Sequence, residues 1–143
     1  SYRQEKNPVP GRHETIFPMC EFESRWSLDD LKYMEKDLLD YMWFGKNNYH
    51  EMTYTDASHH YWLEDLSSKE EMQMTQDFGN VVFLTHFPEY TSPFWNMKRW
   101  SSTANKIDVI LYGMETIWSA EREIDPVIMK ERFYTEKFLE FNS

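Results

Sequence analysis

The chain has 143 residues, enough for one domain with a core of its own. Fifteen basic against twenty-five acidic residues leave a formal net charge of −10, which argues against a broad polyanion-binding face. No apolar run approaches the roughly 20 residues that span a bilayer, no leader pattern opens the chain, and the single Cys20 has no internal partner, so a cytoplasmic protein is expected.

In chain order, Ser1–Lys6 reads as a strand, Asn7–Gly11 as a Pro/Gly loop, and Glu14–Glu23 as a second strand with Pro18 at an edge or bulge. Ser27 caps a helix whose first turn holds Asp29 and Asp30. Leu28, Leu31, Met34, Leu38, Leu39 and Met42 form its apolar stripe, Lys32, Glu35, Lys36 and Asp40 face the other way, and Gly45 ends it. A short strand from Thr53 runs into a short helix, Asp56–Leu63. His50, His59, His60 and Glu64 lack the spacing of a metal motif, and adjacent histidines on a helix point apart. Ser68 begins a helix that ends at Gly79, and Asn80–Pro88 is a buried strand with a polar exit. Ile107–Asp125 reads as two strands broken at Gly113. Asp125-Pro126 then opens a last helix with Val127, Met129, Phe133, Phe138 and Phe141 on its apolar side.

The chemistry concentrates in Ile107–Asp125. Asp108, Glu115 and Arg122 lie seven residues apart each time. Two carboxylates brought to about 5 Å repel by roughly 3 kcal/mol at an effective dielectric of about 20, a repulsion that a cation between them removes. Mg²⁺ suits one or two carboxylates plus substrate phosphates, and an arginine fork suits a carboxylate or phosphate. On spacing alone, solvated strand acids and a surface ion pair are the simpler reading. No GxGxxG and no Walker loop is present, so those nucleotide sites are unsupported.

The N-terminus changes the balance. Tyr2-Arg3-Gln4-Glu5, a Pro-rich hinge, and then Arg12-His13-Glu14-Thr15-Ile16-Phe17 resemble motif 2 of the class II aminoacyl-tRNA synthetases. The likeness is to the aspartate and asparagine branch, closest to its ammonia-dependent asparagine synthetases (aspartate–ammonia ligases). The Asp108, Glu115, Arg122 spacing resembles the same branch, and together the two likenesses cover about residues 2–125. The resemblance implies ATP and Mg²⁺ as cofactors, with Asp108 and Glu115 on the metal. It puts Arg3 on the α-phosphate, Glu5 on the adenine amino group, Arg12 and His13 on the outer phosphates, and Phe17 stacked on adenine. Thr85, His86, Glu89 and Arg122 would contact the substrate amino acid, so Arg3 and Arg122 are the candidate catalytic residues.

A single truncated catalytic domain over residues 1–143 is expected, of α+β class: a mostly antiparallel sheet with flanking helices packed on one side. The N-terminal strand pair and the Ile107–Ala120 strands are expected in that one sheet, with the nucleotide on its open face. The chain begins at the first strand of motif 2 and ends before motif 3, and it lacks motif 1, which reads as a fragment, a split subunit or a reduced paralogue. Exposed sheet edges predict a homo-oligomer or a complementary subunit. The favoured function is ATP-dependent activation of aspartate, then amidation by ammonia to asparagine. The alternatives are the core of an asparaginyl- or aspartyl-tRNA synthetase, with tRNA as a partner, and a non-catalytic paralogue that kept the fold. Trp26, Trp43, Trp62, Trp100 and Trp118 stand where the resemblance leads one to expect small residues, often glycine.

Overall fold

The structure is a computed structural model that describes residues 1–45, 48–91 and 94–142, with side chains as far as Thr135. Of the expected features, the side chains of Phe138 and Phe141 fall outside this description.

Two short strands, β1 (Tyr2–Gln4) and β2 (Ile16–Pro18), pair antiparallel with Arg3 opposite Phe17. They are shorter than the sequence suggests. They also form a two-stranded sheet of their own, which corrects the expectation of a single sheet. Pro18, with no N–H to donate, ends the second strand.

Helix α1 (Leu28–Tyr41) starts at a Ser27–Asp30 capping box, in which each side chain bonds the other residue's backbone N–H. It stops four residues short of Gly45, with Trp43 taking the left-handed backbone that follows a helix end. Its buried stripe is rotated from the expected one. Leu38 and Met42 are exposed, while Glu35 is buried between Leu28 and Leu39. Residues 28, 35 and 39 are spaced i, i+7 and i+11, so Glu35 lies on the same side of the helix as the buried leucines rather than opposite them.

The main sheet follows. Strand β3 (Tyr49–Thr53) runs parallel to β4 (Val81–Pro88), and the crossover that parallel pairing needs is made by α2 (Tyr54–Tyr61) and α3 (Ser68–Phe78). Thr53 caps α2, and a Ser67–Glu70 capping box starts α3. Strand β6 (Thr103–Leu111) is central, antiparallel to β4 on one side. On its other side lie the short β5 (Arg99–Trp100) and then β7 (Met114–Ala120). Helix α4 (Pro126–Asn142) is capped by the Asp125 carboxylate, and Arg132 ties it to the body by donating to the Met97 carbonyl at 3.0 Å.

Alternation along β4 and β6 divides the core between two faces. Val82, Leu84, Ala104 and Ile110 pack with Tyr54, Ala57 and Met74 of α2 and α3. Val81, Phe83, Ile107 and Val109 pack with Leu28 and Leu39 of α1. Helices therefore cover both faces, which corrects the one-sided packing expected. The reason lies in β4 and β6 themselves: runs apolar at odd and even positions alike must be covered on both sides.

The β6–β7 turn is two residues long, and both Tyr112 (φ 49°) and Gly113 (φ 80°) have positive φ, the pattern of a type I′ hairpin. A Cβ at Gly113 would come 2.8 Å from Met72 Cα on α3. Gly113→Ala is therefore expected to cost about 2 kcal/mol or more, from left-handed strain and backbone overlap together. A shift in the urea midpoint at unchanged slope measures it.

Candidate functional site

The turn sets the site. Asp108 on β6 faces the α2–α3 side of the sheet, directly across from Trp118 on β7. A register shift lets Glu115 pair with Ile110, two residues along from Asp108 on the same face. Beyond β7, Arg122 bridges to Met97, which packs on that face, and it continues the alternation of Trp118 and Ala120. Asp108, Glu115 and Arg122 thus share one side of the sheet. Arg122 is exposed and Asp108 is buried.

Asp108 and Glu115 line a cavity of about 250 Å³ between the sheet and α2–α3, together with Tyr54, Glu71, Phe94 and Lys106. Helices α2 and α3 cover part of this face, which the sequence reading left open, while Glu115, Trp118 and Arg122 remain exposed on it. Lys106 Nζ bonds Asp108 Oδ2 at 2.7 Å and lies 4.1 Å from the centre of the Phe87 ring. Asp108 Oδ1 is buried with no hydrogen-bond partner. Burial is the main cause that pushes the Asp108 carboxyl up to about 7; the Lys106 ammonium opposes the rise, and the charges of Glu115 and Glu71 add to it. Among the described residues no group of three or more His, Cys, Asp and Glu is arranged to hold a metal. Two carboxylates on one face, one with an unsatisfied buried oxygen, nevertheless fit a hard cation that takes its remaining ligands from phosphates and water.

Arg12 connects the N-terminal hairpin to this site. It donates one bond to the Gly113 carbonyl at 3.0 Å and another to the Glu71 carboxylate. Burial raises the Glu71 pKa, the Arg12 guanidinium works against that, and the charge of Glu115 works with it while a backbone hydrogen bond from Glu115 opposes it. Arg12→Ala is expected to cost about 1–3 kcal/mol, because it leaves a half-buried carboxylate unpaired. Adding Glu71→Gln should recover part of that loss in urea unfolding.

The other candidates are spread out. Arg3 and Glu5 sit on the hairpin 3.8 Å apart, with Arg3 largely exposed and Phe17 opposite it. His13 Nδ1 accepts from the Val9 N–H within the loop. Thr85 is buried opposite Ile107, which packs toward α1, so it lies on the other face from Asp108. His86 stands at the β4 bulge with φ 54°, its Nδ1 2.9 Å from Thr85 Oγ1. Glu89 pairs with Arg99 at 2.9 Å in the 3₁₀ turn Glu89–Thr91. Sequence reading missed Glu71 and Lys106. Lys106 is two residues from Asp108, a period-2 signal for a shared face, whereas nothing in the sequence tied Glu71 to Arg12.

Residues 1–142 match the family described as tRNA synthetases class II (D, K and N). Over 62 residues, 43% of this chain and 14% of the other, the sequence is 31% identical to an aspartate–tRNA(Asp/Asn) ligase of Methanopyrus kandleri. The fold superposes on the asparaginyl-tRNA synthetase of Pyrococcus horikoshii complexed with asparaginyl-adenylate, with a TM-score of 0.75 and 19% identity over 93% of this chain and 38% of that one. It also superposes on the aspartyl tRNA synthetase of Entamoeba histolytica, with a TM-score of 0.73 and 15% identity over 94% of this chain and 36% of that one. At these identities the likeness is one of fold, and it bears out the expected partial class II core. The chain spans just over a third of the length of these two synthetases and a seventh of the ligase.

Proposed function

Because the chain belongs to the class II tRNA synthetases of the aspartate, lysine and asparagine group, we propose that its Asp108–Glu115–Arg122 face activates aspartate or asparagine with ATP as an acyl adenylate. The observation that carries this reading is the gathering of three residues, spaced seven apart in sequence, on one side of β6, β7 and the segment after it. In the reaction a carboxylate oxygen of the substrate attacks the α-phosphorus of ATP and pyrophosphate leaves. The adenylate is itself the activated acyl group, so the protein supplies positioning and charge rather than a nucleophile.

Asp108 and Glu115 would hold Mg²⁺, which when bound neutralises charge on the phosphates. Arg122 offers its fork to the side chain of the amino acid, with His86 and Glu89 as further contacts in this reading, whereas Thr85 faces α1 on the other side of the sheet and drops out of that pocket. From the hairpin, Arg3 takes the α-phosphate, Glu5 accepts from the adenine amino group, and Phe17 stacks on the ring. Arg12 and His13 take the outer phosphates, so that phosphate competes with Glu71 for Arg12. The anchoring of Arg12 at Gly113 supports this, because it brings the hairpin loop to the turn beside Glu115.

The acceptor that fits the relatives is tRNA, since those compared are tRNA ligases or tRNA synthetases by name. A second reading, amidation of a β-aspartyl adenylate by ammonia to give asparagine, is favoured by the net charge of −10, which suits a small neutral acceptor better than a polyanion. Release of AMP from Mg·ATP separates them. AMP formed with aspartate only when ammonium is added, with asparagine as product, supports the ammonia ligase. Pyrophosphate exchange that depends on aspartate or asparagine and ignores ammonium supports the synthetase core. No adenylate with either amino acid, in the chain alone or joined to a complementary subunit, would contradict both.

A further inference from the structure

Among the described residues all four glycines have positive φ, and five other residues join them: Trp43, Trp62, His86, Ser101 and Tyr112. Tryptophan supplies only six of the 143 residues, yet it is the one other residue type found there twice.

Both of these tryptophans close a helix, and in the same way. After α1, the Trp43 N–H bonds the Asp40 carbonyl at 3.0 Å and the Phe44 N–H bonds the Leu39 carbonyl at 3.0 Å. After α2, the Trp62 N–H reaches the His59 carbonyl at 3.4 Å and the Leu63 N–H reaches the Ser58 carbonyl at 3.1 Å. This double closure places one residue in the left-handed region, and glycine is its usual occupant because a Cβ is strained there. The indoles gain little burial against that strain, since Trp43 is 95% and Trp62 90% exposed.

Trp118 is a third case. It stands directly across from Asp108 on the face of the sheet that carries the site, 46% exposed, where in the functional reading above a bulky ring crowds the approach of a substrate. Glycine is meanwhile scarce, four residues in the chain, about 3% against an average near 7%. Trp95 provides the contrast, its ring centre 5.1 Å from that of Phe133 in a packed edge-to-face pair.

We infer that positions 43, 62 and 118 are glycine positions, and that the source cell translates as glycine a codon that these positions share and position 95 does not, so that the working polypeptide has bare backbone at two helix ends and beside Asp108. Positions 43 and 62 rest on backbone geometry alone; position 118 rests on the strand register and on the functional reading above. One residue type recurring in unlike settings, each of which suits the smallest side chain, points to a common cause in decoding rather than to three separate uses of an indole.

Mass spectrometry of peptides from the protein made in its source cell tests this directly. Glycine is expected at 43, 62 and 118 and tryptophan at 95, and tryptophan found at any of the three overturns the inference there. In recombinant protein, Trp43→Gly with Trp62→Gly should raise Tm by several degrees, whereas Trp95→Gly should lower it. A lower Tm in the double variant would overturn the backbone argument. Trp118→Gly should tighten Mg·ATP binding at least tenfold. Unchanged binding alongside a stabilised double variant would overturn the part concerning 118 and leave 43 and 62 standing.

Discussion

Glu35→Gln is expected to stabilise the protein by about 1–3 kcal/mol at pH 8 and to change little at pH 4. Glu35 is 1% exposed, and neither carboxylate oxygen has a hydrogen-bond partner. Burial pushes its carboxyl up to about 7; Ser119 lies near enough to temper the rise without completing a hydrogen bond, and Asp108 on the far face of the sheet adds to it. The sign follows from linkage. The unfolded chain releases this proton near pH 4.5 and the folded chain only near 7, so the folded state binds more protons between those values. Stability therefore falls as pH rises through that window, and the full cost is present above it. A glutamine keeps the shape and removes the charge. Urea unfolding at pH 4, 6 and 8 should show the wild type losing stability across the series and Glu35→Gln losing less. Equal pH profiles for the two proteins would mean that Glu35 is ionised in the fold at little cost.

Asp108→Asn carries the second large effect, on function. If Asp108 and Glu115 share a cation with the phosphates, the amide should lower amino-acid-dependent pyrophosphate exchange by about 100-fold or more. Glu115→Gln should act in the same direction. Lys106 makes the interpretation specific. It bonds Asp108 Oδ2, where a cation would sit in this reading, so a bound metal would have to share or displace it. Lys106→Met is then expected to tighten Mn²⁺ binding in a titration with the metal alone, and Asp108→Asn to abolish it. A residue with a merely structural role would leave that titration unchanged while lowering Tm.

The sequence located most elements because their end signals are local. Ser27 and Asp125 cap helices as expected, by side chains that bond the backbone just after them, whereas Thr53, expected to open a strand, instead ends β3 and caps α2, and Ser67 caps α3 one residue before the expected start. Tyr112-Gly113 marks the hairpin in the same local way. What the sequence did not reveal depends on three dimensions. Glu35 looks like a solvent-facing helix residue until α1 packs beneath β6, and Glu71 becomes part of the site only when Arg12 arrives from 59 residues away. The N-terminal strands looked longer because, apart from Pro18, Ser1–Lys6 and Glu14–Glu23 carry no local signal of where pairing stops. The Asp108–Glu115–Arg122 spacing was legible as a pattern, and the register of β6 with β7, shifted by one at Val109/Ile110, is what turns it into a single face. The crowding role of Trp118 follows from the same register, since it stands opposite Asp108.

Calorimetric titration of ATP into the protein, with and without Mg²⁺, tests the central claim most directly when wild type and Asp108→Asn are run side by side. Binding to the wild type is expected to require Mg²⁺ and to be lost in Asp108→Asn, with Trp118→Gly binding more tightly than either. ATP that binds wild type and Asp108→Asn equally, or binds without regard to Mg²⁺, would contradict a metal–nucleotide site on this face.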